Sequence, residues 1–246
     1  MIPEWPDGSD RVVLDEVDST MAEAARRAGD LERPTWIMAR RQTAARGRRG
    51  RAWTSPAGHF AATLIWRPDA TPAEAALRTF TASNALYDAL ADKVPEAQLA
   101  LKWPNDVLLS GGKVAGILLE SSGVGERLDW LAVGFGVNLV EVPKDLHDAQ
   151  VPPACLSGAG IDFAADDLLA RLAEAMAEGE ALLERAGFGP VRDAWLSRAA
   201  RLGETLTART GTAEITGVFE TLDEAGRLVL RTSTGQVAIP TGDVFF

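Results

Sequence analysis

Two hydrophobic patterns divide the chain at Gly203. Before this residue, apolar runs typical of buried strands alternate with longer segments of helical period, and after it only short alternating runs follow. A regular alternation of strands and helices is typical of an α/β sandwich, in which helices cover a sheet. The late segment is too short for comfortable independent stability. We therefore predict a large domain, 1–202, and a small β-barrel, 203–246, packed against it.

The two patterns also predict where the individual elements lie. Thr71 and Pro72 form a typical helix start, and Thr20 and Glu23 have the spacing of a capping box for an earlier helix. The predicted helices are 21–28, 72–90, 166–186 and 191–202. The predicted strands are 11–14, 36–40, 60–66, 99–103, 114–120, 130–139, 205–209, 214–221, 227–232 and 236–239.

Residues that many metal sites and nucleophilic catalysts need are scarce. Cys155 is the single cysteine, so neither an intramolecular disulfide nor a cysteine-rich zinc site is available. His59 and His147 are too few to support a multi-histidine metal site or to favour a Ser/His/Asp triad. No secretory signal is visible, and no apolar run approaches the roughly 20 residues of a membrane helix. We expect a cytoplasmic protein without membrane contact, whose chemistry depends on Arg, Lys, Asp and Asn.

Positive charge is concentrated in residues 40–51, which we call the arginine loop. It contains six arginines and no acid, although the whole chain has a formal net charge of −10. Gly47 and Gly50 let the backbone approach a ligand closely, and guanidinium groups suit phosphate or carboxylate. An anion-binding lid ending near Trp53 is one interpretation; a solvated basic patch or nucleic-acid tail is the other. One basic loop on an acidic body argues against general DNA binding.

A second polar segment runs from Lys102 to Lys113. Pro104 favours an extended conformation before it, so a rigid turn presents Asn105 and Asp106, whose oxygens suit Mg²⁺; a plain turn is the alternative. Lys113 follows two glycines and is either held against a ligand or an ordinary hairpin lysine. The Walker loop and the complete dinucleotide fingerprint are absent, so any nucleotide must be bound by another design.

Taken in order, four motifs resemble those of biotin protein ligase: Gln42 with Arg46-Gly-Arg-Arg-Gly-Arg51-x-Trp53, Lys102-Trp-Pro-Asn-Asp106, Gly112-Lys113-x-Ala-Gly116-Ile117, and Gly134-x-Gly136-x-Asn138. With Asp18-Ser19-Thr20 and the small barrel, the resemblance covers nearly the whole chain. It implies an α+β fold, a mixed sheet with flanking helices of the class II synthetase type, followed by an SH3-like β-barrel. It also implies ATP-dependent activation of biotin to biotinyl-5′-AMP with Mg²⁺, then transfer to a lysine of a biotin carboxyl carrier protein domain. It leaves a homodimer open.

The resemblance also implies a role for each matching position. The implied biotin contacts are Ser19, Thr20, Gln42, Arg46, Gly47, Arg48, Lys113 and Gly116. The implied ATP or adenylate contacts are Arg46, Arg48, Trp53, Lys102, Asn105, Asp106, Lys113 and Asn138. Catalysis is expected from Arg48, Lys113 and Asp106, with Asp106 also on the metal side through water or phosphate. The loop 44–51 is expected to be mobile until biotinyl-5′-AMP offsets the mutual repulsion of its arginines.

The chain departs from the family pattern at three places. Met21 stands where the family commonly has Asn, and Ala45 replaces the usual first glycine of the arginine loop. His59-Phe60 lies in a stretch where the family usually has other residues. Met21 therefore weakens the expectation of one peripheral contact, and Ala45 is expected to stiffen lid closure.

Some members of the family carry an N-terminal helix-turn-helix repressor. Few residues precede the first predicted strand here, so we expect a form without that domain and without DNA binding. The alternatives are a lipoate or octanoate ligase or transferase of the same fold, a non-catalytic biotin-sensing module, and a nucleic-acid-binding protein.

Overall fold

The computed structural model describes residues 5–51, 53, 55, 57–142, 151–211 and 213–245. His147, one of the two histidines considered above, lies outside these residues. The helices are α1 (Thr20–Arg27), α2 (Pro72–Ala91), α3 (Ala165–Ala186) and α4 (Phe188–Ser197). The strands are β1 (Asp10–Val17), β2 (Thr35–Gln42), β3 (Phe60–Trp66), β4 (Leu99–Lys102), β5 (Asp106–Leu109), β6 (Gly112–Val124), β7 (Arg127–Val137), β8 (Thr205–Arg209), β9 (Glu214–Leu222), β10 (Leu228–Thr232), β11 (Gly235–Ile239) and β12 (Asp243–Phe245).

The centre of the fold is a seven-stranded mixed sheet with the order β1-β2-β3-β7-β6-β5-β4. Only β1 and β2 run parallel, because α1 carries the chain from one to the other, and the remaining neighbours are antiparallel. Helix α1 covers one face of the sheet through Met21, Ala24 and the neighbouring 3-10 turn residue Ala28. Helices α2, α3 and α4 enclose the larger core on the other face. The expected α+β fold, a mixed sheet with flanking helices, is confirmed.

The start of α1 differs from the prediction. Ser19, not Thr20, is the N-cap, and its side chain accepts a hydrogen bond from the backbone N–H of Ala22. Glu23 does not complete a capping box, since its carboxylate binds Arg26 and Arg27 instead. The capping box at Thr20 is therefore wrong. Because capping uses the Ser19 hydroxyl, the Thr20 hydroxyl is available for the interior.

The observed bounds of other elements also differ from the predicted ones. Helix α4 spans Phe188–Ser197, not 191–202, and two strands are additional to the predicted set: β5, which begins at Asp106, and the terminal β12. Both strands are only a few residues long, so their alternation is too short to be recognised in the sequence. Among the described residues, no helix combines the length and apolar character that crossing a bilayer requires.

The C-terminal domain is a five-stranded antiparallel sheet with the order β11-β10-β9-β8-β12. It packs on the helical layer, where a Cβ added at Gly226 would lie 2.4 Å from the Phe80 ring and Trp195 meets Phe219 edge-on. The indole Nε1 of Trp103 donates a hydrogen bond to the Gly226 carbonyl at 3.2 Å. The small domain is therefore joined to the segment that follows β4.

Candidate active site

A hydrogen-bonded chain of three buried or partly buried side chains lies where β2, β3 and α1 meet. The Gln42 Oε1 atom accepts from the Thr20 backbone N–H at 2.8 Å and from the Thr20 hydroxyl at 3.2 Å. Thr63, fully buried on β3, donates its hydroxyl to the Thr20 hydroxyl at 2.9 Å. The N-terminus of α1 thus opens into a small polar recess with fixed donors and acceptors.

The recess continues over β7. A Cβ added at Gly134 would lie 3.0 Å from the terminal methyl of Met21 and 3.5 Å from the Thr63 hydroxyl, so the absence of a side chain lets Met21 pack directly on β7. Met21 is buried within the α1 core and lines the apolar side of the recess. Asp18 anchors the same corner: hydrogen bonds from Arg26 and from the Ser19 backbone N–H lower its pKa to about 2.

The arginine loop returns on itself beside this recess. Its first residues bind the β1–α1 junction through Thr43 and Ala44, whose N–H groups donate to the Val17 and Asp18 carbonyls. Farther on, the Gly47 N–H donates to the Arg51 carbonyl at 2.7 Å, and the Trp53 N–H donates to Ala45 at 3.0 Å. The turn between them needs positive φ at Arg49 (56°) and at Gly50 (71°). We call this compact turn, residues 44–51 of the arginine loop, the flap.

Five of the six arginines in the loop bind carboxylates. These pairs are Arg40–Asp166, Arg41–Glu16, Arg46–Glu120, Arg49–Asp243 and Arg51–Asp243. Arg48 differs: it donates to the Asn105 Oδ1 and Thr241 Oγ1 atoms, each at 3.2 Å, and no carboxylate of the described residues lies within 4 Å of it. Burial and repulsion from Arg49 lower the pKa of Arg48. Arg48 is therefore a partly buried cation whose hydrogen bonds to described residues go to neutral groups, while Asp243 and Asp106 attract it over longer distances.

The segment between β4 and β5 faces Arg48. The Asn105 side chain donates to the Ile117 carbonyl at 2.5 Å and the Ile117 N–H donates to Asn105 at 2.9 Å, which fixes Asn105 against β6. Lys102 is buried, and burial lowers the pKa of its ammonium group despite the nearby Asp106 carboxylate. Asp106 Oδ1 lies 2.6 Å from the Lys113 Nζ atom. Two lysines and one carboxylate thus lie beside the arginine loop.

Trp53 lies over two glycines that face each other across β6 and β7. Gly116 and Gly136 are register partners, and Cβ atoms added there would lie 3.4 and 2.6 Å from the indole ring. The Lys113 Nζ atom is 5.6 Å from the centre of the Trp53 ring. The paired glycines therefore leave a flat space for an aromatic ring next to a lysine.

Asn138 occupies a different position from the other predicted ATP contacts. It is buried, its side chain donates to the Ala154 carbonyl at 3.0 Å, and its backbone carbonyl accepts from Leu156. None of its hydrogen bonds to described residues reaches the arginine loop. Its Oδ1 atom has no hydrogen-bond partner among the described residues. The hydrogen bonds of Asn138 therefore fix the segment that contains Ala154 and Leu156 next to the end of β7.

The structure also contributes residues that the sequence analysis did not select. Thr63 completes the recess, Glu120 binds Arg46, and Thr241 and Asp243 reach the arginine loop from the C-terminal domain. A buried threonine in an apolar strand was a visible signal for Thr63. The sequence carried no signal for the other three, because their role depends on contacts far along the chain.

The described residues contain no group of three or more His, Cys, Asp or Glu side chains that could hold a metal ion. The predicted Mg²⁺ contact, Asp106, is engaged with Lys113. One carboxylate of this kind fits Mg²⁺ only where phosphate oxygens supply most of the ligands.

A mixed sheet with a helix-start recess, a basic flap and a small antiparallel C-terminal domain defines a class of ligases. The model of the biotin/lipoate A/B protein ligase family matches residues 13–138, and the model of the biotin protein ligase C-terminal domain matches residues 202–246. The chain belongs to the biotin protein ligase family and is an enzyme of the ligase class.

Similar proteins span most of the chain. The biotin–[acetyl-CoA-carboxylase] ligase of Paracoccus denitrificans is 50% identical over 95% of this chain and 99% of its own length. The bifunctional ligase/repressor BirA of Escherichia coli (strain K12) is 29% identical over 91% of this chain and 70% of its own. The biotin protein ligase from Aquifex aeolicus in complex with biotin and ATP superposes with a TM-score of 0.80 at 27% identity, covering 96% of this chain and 97% of that one.

Proposed function

We propose that this enzyme activates biotin with ATP to biotinyl-5′-AMP and transfers the biotinyl group to a lysine of a biotin carboxyl carrier protein domain. The observation that carries the proposal is the set of groups that surround Arg48. It is the arginine of the loop whose described partners are all neutral, and it lies beside Asn105 and close to the Lys113–Asp106 pair. A partly buried cation whose hydrogen-bond partners among the described residues are neutral can bind an anionic group that arrives with the substrate.

The recess suits a small acid with a polar head and an apolar chain. Thr20, Gln42 and Thr63 present hydrogen-bonding groups in fixed positions, while Met21 and Gly134 supply an apolar wall. Biotin has a ureido group that needs such partners and a valeryl chain that needs such a wall. The Ser19 hydroxyl, held at the helix start, adds one more polar atom to this end. The complex of the Aquifex aeolicus relative with biotin and ATP supports these two substrates.

Adenylation requires that the biotin carboxylate attack the α-phosphorus of ATP, which brings two anions together. Arg48 contacts Asn105 and Lys113 contacts Asp106, so both cations lie beside the same turn and would offset the repulsion. Phosphoryl and nucleotidyl transfer depends mainly on such positioning and charge stabilisation. Trp53, over the Gly116–Gly136 pair, offers the adenine a ring to stack on. The closed flap keeps water from the mixed anhydride.

Transfer requires a neutral acceptor lysine as the nucleophile. Before substrate binds, the Asp106 carboxylate is neutralised by Lys113 at 2.6 Å. When the phosphate attracts Lys113, Asp106 becomes available to accept the proton of the incoming ammonium group. Buried Lys102, whose pKa is lowered by desolvation, adds positive charge near the phosphates.

Magnesium enters this scheme as part of the substrate MgATP. Phosphate oxygens and water would supply most of its ligands, and Asp106 is the carboxylate of the site that would meet it. A cytoplasmic location and the absence of DNA binding stay predictions.

Biotin-dependent pyrophosphate release from ATP tests the first step. The purified chain should release pyrophosphate with biotin, and should do so far more slowly with lipoate or octanoate, which lack a ureido group. Hydroxylamine should trap an equal amount of biotinyl hydroxamate. Release that is equal with lipoate would assign the lipoate-type activity instead, and no release with any of these acids would reject adenylation.

Incubation with an isolated biotin carboxyl carrier domain tests the second step. Mass spectrometry should show one biotinyl addition on the acceptor lysine, and a carrier with this lysine replaced by arginine is the matched control. Pyrophosphate release without carrier modification would retain the adenylation step and reject the acceptor.

A further inference from the structure

One carboxylate of the C-terminal domain binds two arginines of the flap. Asp243 Oδ2 lies 2.6 Å from a terminal nitrogen of Arg51 and 3.2 Å from one of Arg49. Two residues earlier, the Thr241 hydroxyl accepts from Arg48. The contacts join positions about 190 residues apart in the chain. The flap therefore closes onto the C-terminal domain as well as onto the sheet.

Asp243 is held by a paired edge strand. It begins β12, which pairs with β8 in the register Asp243–Arg209. A Cβ added at the preceding Gly242 would lie 2.8 Å from the Arg209 carbonyl, so glycine permits this close pairing. The Asp243 side chain is 16% exposed, whereas Arg49 and Arg51 are 46% and 60% exposed. The carboxylate is therefore the less exposed partner in both ion pairs, and it is positioned by the pairing of β12 with β8.

The charges explain why such a partner is needed. Six arginines within twelve residues repel one another, and the repulsion is strongest when the flap is folded into a compact turn. Arg49 and Arg51 bind Asp243, while Arg48, which precedes both in the chain, donates its hydrogen bonds to neutral groups among the described residues. Neutralising Arg49 and Arg51 lets the flap close while the charge of Arg48 stays available.

We propose that Asp243 is a positioning residue that holds the arginine flap closed, so that the C-terminal domain controls how long the adenylate is retained. The effect on retention of the adenylate rests on the proposed function, whereas the closure of the flap does not. Asp243 touches no reacting atom; it acts through Arg49 and Arg51. The C-terminal domain thereby takes part in the reaction without contributing a catalytic group.

Hydrogen exchange of residues 44–51 tests the closure on the full chain without any ligand. Asp243→Asn should exchange these amides about tenfold faster than the parent protein, because the shared ion pair is lost. Asp243→Glu, which keeps the charge, should restore most of the protection. Glu214→Gln is the matched control: it removes an acid of the same domain that pairs with Arg209, a residue outside the flap. This control should leave exchange in 44–51 unchanged.

Retention of the product tests the consequence. Biotinyl-5′-AMP should dissociate about tenfold faster from Asp243→Asn, while the KM for biotin stays near that of the parent protein. A loop-side variant, Arg49→Gln with Arg51→Gln, should also release biotinyl-5′-AMP faster while its KM for biotin stays near that of the parent protein. Adding Asp243→Asn to this variant should have no further effect. This pair of variants keeps the test valid if the change at Asp243 unfolds the C-terminal domain.

The outcomes separate the two proposals. Equal flap protection in the parent, Asp243→Asn and the loop-side variant would overturn the role of Asp243, whatever the activity. Faster exchange in a protein that makes no adenylate would retain the closure and reject the proposed function.

Discussion

Arg48→Gln is the substitution expected to separate catalysis from stability most clearly. In the structure Arg48 makes two hydrogen bonds of 3.2 Å to neutral acceptors, each worth about 1 kcal/mol net. The removal of a partly buried cation that has no carboxylate within 4 Å among the described residues offsets part of this loss. The free energy of unfolding should therefore change by no more than about 1 kcal/mol. The effect on the reaction should be much larger, because no carboxylate of the described residues lies within 4 Å of Arg48 to neutralise its charge.

The magnitude follows from the role of a single preorganised donor. Loss of one such group typically lowers the rate about 10²–10³-fold, or about 2.7–4 kcal/mol of transition-state stabilisation. We expect kcat for biotin-dependent pyrophosphate release to fall by this factor, with the biotin Kd changing less than tenfold. Stopped-flow pyrophosphate detection and calorimetric titration with biotin measure the two quantities, and urea unfolding measures stability.

Arg41→Gln is the matched control for Arg48→Gln. Arg41 lies in the same loop and binds Glu16, but its side chain is 57% exposed and its ion pair is worth about 0–1 kcal/mol. It should release pyrophosphate at the parent rate. If Arg48→Gln also retains the parent rate, or if both variants lose activity to the same extent, the special position of Arg48 is refuted.

Three further predictions address other parts of the site. Gly136→Ala places a Cβ 2.6 Å from the Trp53 indole, so steady-state kinetics should show at least a tenfold higher KM for ATP; an unchanged KM would contradict the stacking role. Thr63→Val removes the hydroxyl that donates to Thr20 and should weaken biotin binding about tenfold with little change in kcat, as measured by titration and turnover. His59 is buried and its pKa is lowered by burial, so the unfolded chain takes up the proton first as pH falls below about 6.5. Urea unfolding at pH 7.5 and 5.5 should show stability lost by up to about 1.4 kcal/mol per pH unit, and His59→Leu should flatten this slope.

Local pattern accounts for the elements that were predicted well. Strand β3 lies where its continuous apolar run placed it, and α2 begins at the Thr71–Pro72 signal with a capping box completed by Glu74. In both segments the information is contained in a few neighbouring residues. At the start of α1 the local pattern predicted Thr20 as the cap, but Ser19 caps the helix and Thr20 is hydrogen-bonded to Gln42 and Thr63, which are distant in the chain.

The chemistry-bearing motifs were also visible in the chain, because each is a short run of unusual composition. Their order and spacing pointed to the ligase family, which the comparisons confirm. The roles of the individual site residues stay predictions. The structure brings Gln42, Arg48, Asn105, Asp106 and Lys113 to one side of the sheet, and Asn138 binds a segment away from them.

The sequence by itself determined which segments become strands and helices, and that one basic loop stands on an acidic body. Only the tertiary structure decided which of the six arginines has no carboxylate of the described residues within 4 Å. It also decided that Asp243 binds two of the others. Secondary structure follows from interactions over a few residues, whereas the charge state and partners of a side chain depend on groups that folding brings from distant parts of the chain. The arginines are alike as residues, and their separate roles arise from the surfaces onto which the loop closes.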